Sequence, residues 1–259
     1  MNRKVKKISK IIFLTGASSG IGLACAEIFA QNGSRLLLAA RRLDRLNKLA
    51  AKLEKQYKSD VCCIRLDVRH RGEVEDKINS LPAEWKKIDI LINNAGLSRG
   101  LDKLHEGDLT DWEEMIDTNV KGLLYVSRAV IPGMVKRKKG HIINIGSIAG
   151  HEVYPGGNVY CATKHAVDAL TKAMQIDLVD TPIRVSSVDP GMVETEFSLV
   201  RFHGAKDRAK SVYKGLKPLT ASDIAEAVYF CASRPAHVNI HQLRIMPTAQ
   251  ATAMLTHRR

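Results

Sequence analysis

The sequence predicts an α/β fold, a single doubly wound parallel sheet of about seven strands with helices on both faces, and three observations carry that reading. Apolar runs of four to seven residues alternate with longer segments of helical period, the βαβα order of strands joined by crossover helices. The first run ends in a glycine-rich turn, Thr15-Gly-Ala-Ser-Ser-Gly-Ile-Gly22, that opens a helix. No repeat, low-complexity run or linker divides the 259 residues. One domain over 1–259 is therefore expected, with a basic tail at 1–9 and a variable segment at 194–217.

Strands are expected at 10–14, 35–40, 61–67, 88–93, 141–146, 183–189 and 243–246. A helix over 20–32 is closed by Gly33, and Leu43, Leu46, Leu49, Ala50 and Leu53 form one apolar stripe at helical spacing. Thr110 and Glu113 have the spacing of a capping box that opens a long helix toward Arg137. Another helix runs from about 158 to 178. The segment 194–217 is rich in charge and broken by Gly204 and Gly215, so it reads as a mobile excursion. The last residues, 249–259, are expected to reach a neighbouring subunit or to stay disordered.

Composition bounds the function. A hydrophobic content of 45% fills a core, while no apolar run approaches the ~18 residues of a membrane span. Residues 11–14 follow a basic stretch as a signal peptide would, but Thr15-Gly16 ends the run, so a soluble cytoplasmic protein is expected. Five cysteines without metal-ligand spacing read as small core residues in a reducing compartment, with no metal site. Cys161, beside Tyr160, has a reactive thiol as its alternative reading. The net charge of +13 comes partly from the tail and otherwise alternates with acids along helical stretches. It predicts attraction of an anionic substrate or polyanionic cofactor, with no nucleic-acid motif and no membrane partner.

Gly16, Gly20 and Gly22, with Ser18, Ser19 and Ile21 between them, follow a strand and start a helix. Such a turn lets a pyrophosphate approach helix N–H groups, although the spacing is GxxxGxG, not the standard dinucleotide GxGxxG. Strand two ends in Ala39-Ala-Arg-Arg42. An NAD-preferring fold places an acid on the ribose 2′-hydroxyl there, whereas Arg41 and Arg42 suit a 2′-phosphate and hence NADP. Ser147 follows the fifth strand, and Tyr160 and Lys164 share a helix face at i and i+4. A nearby ammonium lowers a phenol's pKa, which makes Tyr160 a proton shuttle. Tyr213 and Lys217 repeat the spacing, but Gly215 lies between them and no strand-borne serine precedes them.

Together the 16–22 turn, Asn93-Asn-Ala-Gly96, Asn119, Ser147, Tyr160 with Lys164, and Pro190-Gly191 resemble the short-chain dehydrogenase/reductase family over nearly the whole chain. The resemblance implies a Rossmann-type fold, NADP as cofactor and a homotetramer. It implies that Asp67 and Val68 border the adenine, that Asn93, Asn94, Ala95 and Gly96 brace the sheet beside the cofactor, and that Pro190, Gly191, Met192 and Val193 with Thr195 hold the nicotinamide amide. Ser147 would bind the substrate oxygen and Tyr160 would carry the proton. Lys164 would bind the nicotinamide ribose and lower the pKa of Tyr160, and Asn119 would hold a proton-relaying water.

Further stretches, among them Trp112 to Asn119, Val200-Arg-Phe202 and Pro235 to Ile240, resemble the NADP-dependent 3-hydroxy acid dehydrogenases within that family. The resemblance implies serine, allo-threonine or 3-hydroxypropionate as substrate, with Arg201 anchoring the carboxylate from the substrate-side segment 194–217. A 3-oxoacyl carrier-protein reductase or other carbonyl reductase is the alternative enzyme, and a non-catalytic NADP-binding regulatory protein the alternative outside enzymes. After Ser147 the chain departs from the expected Ser-Trp-Pro-Tyr-like loop and reads Ile-Ala-Gly-His-Glu-Val-Tyr-Pro. His151, Glu152 and Val153 are therefore expected to reshape the pocket, with His151 and Tyr154 among its substrate-binding residues.

Overall fold

In the computed structural model, which describes residues 10–259, seven parallel strands form one sheet in the order β3-β2-β1-β4-β5-β6-β7. The basic tail 1–9 lies outside the described residues. β1 (Ile11–Thr15) leads through α1 (Gly20–Gln31) to β2 (Arg35–Ala40), and α2 (Leu43–Tyr57) carries the chain to β3 (Val61–Arg65) at the edge. α3 (Arg71–Asn79) then crosses back to β4 (Ile90–Asn93) beside β1. α4 (Leu109–Ile116), a π-helical turn over Asp117–Gly122 and α5 (Leu123–Arg137) lead to β5 (Gly140–Ile145). A 3-10 turn (Ile148–Gly150) and α6 (Asn158–Asp177) precede β6 (Ile183–Pro190). Short helices α7 (Phe197–Arg201) and α8 (Lys206–Ser211), then α9 (Ala221–Ser233), precede β7 (Gln242–Ile245).

Period-two alternation along apolar strands explains the layers. Ile12, Leu14, Leu36, Leu38, Ile90 and Ile92 point to one face, where they pack with Phe29 of α1, the α2 stripe Leu46, Leu49 and Leu53, and Val228 of α9. Ile11, Phe13, Leu37 and Leu91 point to the other, against Val74 and Ile78 of α3 and Val126, Val130 and Met134 of α5. Each fully buried side chain of this size contributes roughly 1.5–3 kcal/mol. Both faces are covered, as a parallel sheet requires.

Several expected elements are displaced. β3 ends at Arg65, which leaves Asp67 in the loop beyond it, and β4 starts at Ile90 rather than 88. The helix expected from Thr110 starts a residue earlier, because Asp108 caps it by accepting from Thr110 N at 2.7 Å and Asp111 N at 3.3 Å. It is also not one helix, since the π-helical turn interrupts it at Asn119. The tail 249–259 folds back on its own chain: Arg258 donates to the Lys214 and Val212 carbonyls at 2.6 and 3.1 Å, and Arg259 N to Gly215 O at 3.0 Å.

β1 and β4 are neighbours although the chain leaves β1 in the opposite direction. That reversal opens a crevice at the carboxyl ends of the strands, the place where doubly wound sheets bind ligands.

Candidate active site

A cavity of about 670 Å³ occupies this crevice. Of the side chains expected in the site, all but Gly22, Asn93, Asn119 and His151 line it. Gly22 is needed behind the wall: a Cβ there would lie 2.3 Å from the Gly16 carbonyl oxygen. Gly16 takes a left-handed φ of +66°, which bends the chain from β1 into α1. Asn94, within the stretch expected to brace the sheet, pins that bend by donating to the carbonyls of Thr15 at 2.9 Å and Gly16 at 3.1 Å. Asn93 faces the interior instead, donating to Ser127 and Asn144 from a buried position.

The donor set at the turn fits a phosphorylated dinucleotide. Ser19 caps α1 without a side-chain bond, so the first-turn N–H groups at Gly20 and Ile21 border the cavity. Arg42 reaches back from the end of β2, and its Nη2 donates to Ser18 Oγ at 3.1 Å and Ser19 Oγ at 2.9 Å. Two hydroxyls and a guanidinium thus converge beside the helix N-terminus, a fork suited to phosphate. Arg41 lies 3.4 Å from Glu114, while Asp67 pairs with Arg69 at 2.6 Å. Burial would raise the Asp67 carboxyl, but the Arg69 hydrogen bonds outweigh it and hold the group below its ordinary value.

At the other end stand Ser147, Tyr160 and Lys164. Ser147 opens the 3-10 turn and accepts from Ala149 N at 3.1 Å. Tyr160 sits in an apolar cluster with Leu97, Met115 and Ala149, and Phe197 lies edge-on at a centroid distance of 5.7 Å. Burial and the neighbouring Tyr154 push its phenol well up; a hydrogen bond with Ser147 and the charge of Arg201 pull the other way. The expectation that Lys164 lowers this pKa is not met. Lys164 Nζ lies 6.0 Å from the ring centroid, donates to Ile145 O at 2.9 Å, and is itself pushed down to about 8 by burial. Desolvation is the largest influence on both groups. Asn119 stands behind this set, its amide donating to Leu97 O at 2.8 Å and Thr163 Oγ1 at 3.0 Å, and its carbonyl accepting from Leu97 N. The π-helical turn aims it there, as such bulges do at functional positions.

Arg201 borders the cavity above Tyr160, with Cζ 5.6 Å from that ring and Nη2 donating to Tyr154 Oη at 2.7 Å. His151 does not join them. Its Nε2 lies 2.7 Å from Asp189 Oδ2, in a buried group that includes Gln242 and Ser187. The imidazole turns inward because the fully buried Asp189 carboxylate demands partners. Glu152 likewise turns away, accepting from Ala253 N at 2.6 Å, and Val153 is exposed outside the lining. Gln250 and Ala253 of the folded-back tail do line the cavity, as does Tyr213, whose hydroxyl donates to Val193 O at 2.8 Å. No motif marks the tail residues, because only the tertiary fold brings them in. Cys161 is buried and its thiol raised by burial, which disfavours the reactive reading.

A family model for short chain dehydrogenase matches residues 10–204. The NADP-dependent 3-hydroxy acid dehydrogenase YdfG of Salmonella typhi is 47% identical over 247 residues, covering 95% of this chain and 98% of that protein. The NADP-dependent 3-hydroxy acid dehydrogenase of Schizosaccharomyces pombe is 46% identical over 251 residues, covering 96% and 97%. Among solved structures, the closed form of serine dehydrogenase complexed with NADP+ aligns with a TM-score of 0.90 at 46% identity, over 96% of this chain and 99% of that one. The matched span takes in the glycine turn, Ser147, Tyr160 and Lys164, and the chain belongs to the short chain dehydrogenase family.

Proposed function

We propose that this chain is an NADP-dependent dehydrogenase that interconverts short 3-hydroxy acids, such as serine, allo-threonine or 3-hydroxypropionate, with their carbonyl forms. The observation that carries the reading is Arg201 beside Tyr160 in one cavity with the arginine-flanked glycine turn. The 3-hydroxy acid dehydrogenases and the NADP+-bound serine dehydrogenase that it resembles support it. Arg42 with Ser18 and Ser19, and Arg41 across the cleft mouth, would hold the 2′-phosphate, and the α1 N-terminus the diphosphate. Val193 and Thr195 would face the nicotinamide end. The cofactor, when bound, supplies the hydride acceptor or donor.

The remaining work falls to side chains. Arg201 binds the carboxylate, which fixes the 3-carbon near Tyr160 at the range of a near-attack geometry. Ser147 Oγ donates to the substrate oxygen. Tyr160 Oη carries the proton: burial keeps the phenol protonated, the state that the donor in reduction needs. In oxidation the charge of Arg201 stabilises the phenolate that accepts. Asn119, through Leu97 and Thr163, holds the backbone that borders this proton site. The apolar wall of Leu97, Ala149 and Phe197 keeps bulk water from it. A cytoplasmic homotetramer is the setting that goes with this reading, and light scattering of the purified chain checks the assembly.

The test is NADPH formation from L-serine, L-allo-threonine, 3-hydroxypropionate and 3-hydroxybutyrate, with Tyr160→Phe as control. Turnover should fall by roughly 10²–10⁴ in the variant while NADPH binding persists. Absence of turnover on every acid by the parent chain would move the substrate to a carbonyl of another class. Arg42→Ala should lose about tenfold or more of the preference for NADP over NAD, and an unchanged ratio would remove Arg42 from the phosphate site.

A further inference from the structure

One carboxylate joins the two ends of the cavity. Glu196 immediately precedes α7, and both its oxygens accept from Arg45 Nη1 at 2.9 Å. Its Oε2 also accepts from Arg42 Nη1 at 3.2 Å. Arg45 lies in the first turn of α2 and Arg42 caps that helix. Arg42 spends its other N–H groups on Ser18 and Ser19, so one guanidinium touches the phosphate corner and the base of α7 together. On the far side of Glu196, α7 carries Phe197 against the Tyr160 ring and Arg201 above it. The helix is five residues long and is held at its other end by Arg99, which donates to Val200 O at 2.5 Å, and by Gly100 N, which donates to Arg201 O at 3.0 Å. On the cofactor side Thr195 Oγ1 accepts from Phe197 N at 3.1 Å and Ser198 shares a hydrogen bond with Tyr213 at 2.7 Å, and Glu196 is the charged tether that reaches the phosphate corner. Its carboxyl lies below the ordinary range: burial would raise it, and the hydrogen bonds of Arg45 and Arg42 prevail.

We propose that Glu196 is a positioning residue that clasps α7, the substrate-side wall over Tyr160, to the arginines at the 2′-phosphate corner, so that substrate binding depends on Arg45 although Arg45 stands outside the cavity. The proposal rests on the NADP-dependent 3-hydroxy acid reading. An isolated exposed ion pair is worth little, but three charges with two hydroxyls, closing on the first residue before a five-residue helix, form a network that can act. The clasp makes α7 sensitive to what Arg42 binds. A 2′-phosphate at Arg42 shares that guanidinium with Glu196 and leaves the Arg45 bonds to carry the tether.

The decisive feature is the sign of two opposite charge changes. Through the field alone, Glu196→Gln makes the site more positive and lowers the KM of an anionic acid, whereas Arg45→Ala raises it. A clasp predicts that both variants raise that KM, by about three- to five-fold, and that the double variant is no worse than either single one. Trypsin digestion with NADPH bound, followed by mass spectrometry, should show faster cleavage at Arg201, Lys206, Arg208 and Lys210 in both variants. KM shifts of opposite sign, additive shifts, or cleavage at the parent rate would each overturn the proposal. If the parent chain oxidises none of the acids, the substrate reading fails by itself. The digestion comparison with NADPH then decides the clasp alone.

Discussion

Tyr160 and Lys164 sit four residues apart on α6 and are both buried, yet burial moves their protons in opposite directions: the phenol is driven up and the ammonium down to about 8. The pair is held ready at a thermodynamic penalty, which follows from desolvating an ammonium that donates to the Ile145 carbonyl. Below about pH 8 the folded and unfolded chains both carry the Lys164 charge and the penalty is felt in full. Between about 8 and the ordinary lysine value near 10.5, the folded chain has released that proton while the unfolded chain still holds it. Stability from this group therefore rises with pH across that window. Lys164→Met should melt above the parent at pH 7, by up to about 3 kcal/mol less the lost hydrogen bond. The advantage should shrink as pH passes 8 and turnover should be lost. A variant that melts below the parent at pH 7 would show that the Ile145 bond, not desolvation, governs the position.

The turn between β1 and α1 shows what an element can demand of one residue. Gly22 packs so closely on Gly16 that a methyl group must displace backbone, not a flexible side chain. Gly22→Ala should lower stability by about 1–3 kcal/mol and weaken NADPH binding by about tenfold or more, because the α1 N-terminus moves with the turn. Chemical denaturation and fluorescence titration measure both, and a variant that binds like the parent would mean that the turn relaxes freely. This turn was legible in the sequence because a glycine pattern after an apolar run has few structural meanings, and the strands because parallel strands buried on both faces are written as continuous apolar runs. Other elements left weaker marks. α3 buries only Val74 and Ile78, too few to establish a period, and α9 is apolar almost all round, with Ile224, Ala227, Val228 and Cys231 buried, so no stripe stands out. The Asp108 cap was masked because Thr110 stands three residues before Glu113 and completes a capping-box pattern of its own. His151 was misplaced for a different reason: its partner Asp189 is 38 residues away, and only the closing of β6 beside β5 puts a buried carboxylate under it.

At the scale of the molecule, the sheet gathers strand ends, a helix N-terminus and four arginines around the crevice, with Arg41, Arg42 and Arg45 at the phosphate end and Arg201 over Tyr160 at the other, set against Glu114 and Glu196. A field concentrated in that way attracts an anion before contact, and salt screens it over about 10 Å at 0.1 M. The association rate of NADPH, measured by stopped-flow fluorescence, should therefore fall by about tenfold between roughly 20 mM and 500 mM salt, with dissociation changing less. NADH lacks the 2′-phosphate and should show a shallower slope. Whether the overall charge of +13 or the cleft produces this steering is separable, because residues 1–9 contribute Arg3, Lys4, Lys6 and Lys7. A chain without residues 1–9 should keep nearly the whole salt slope if the low-dielectric walls of the cleft focus the arginines' field, whereas Arg41→Ala, which removes one charge at the mouth, should flatten it. If the tail deletion flattens the slope more than Arg41→Ala, the steering belongs to the net charge of the chain, and the arrangement of arginines around the crevice governs only what happens after contact.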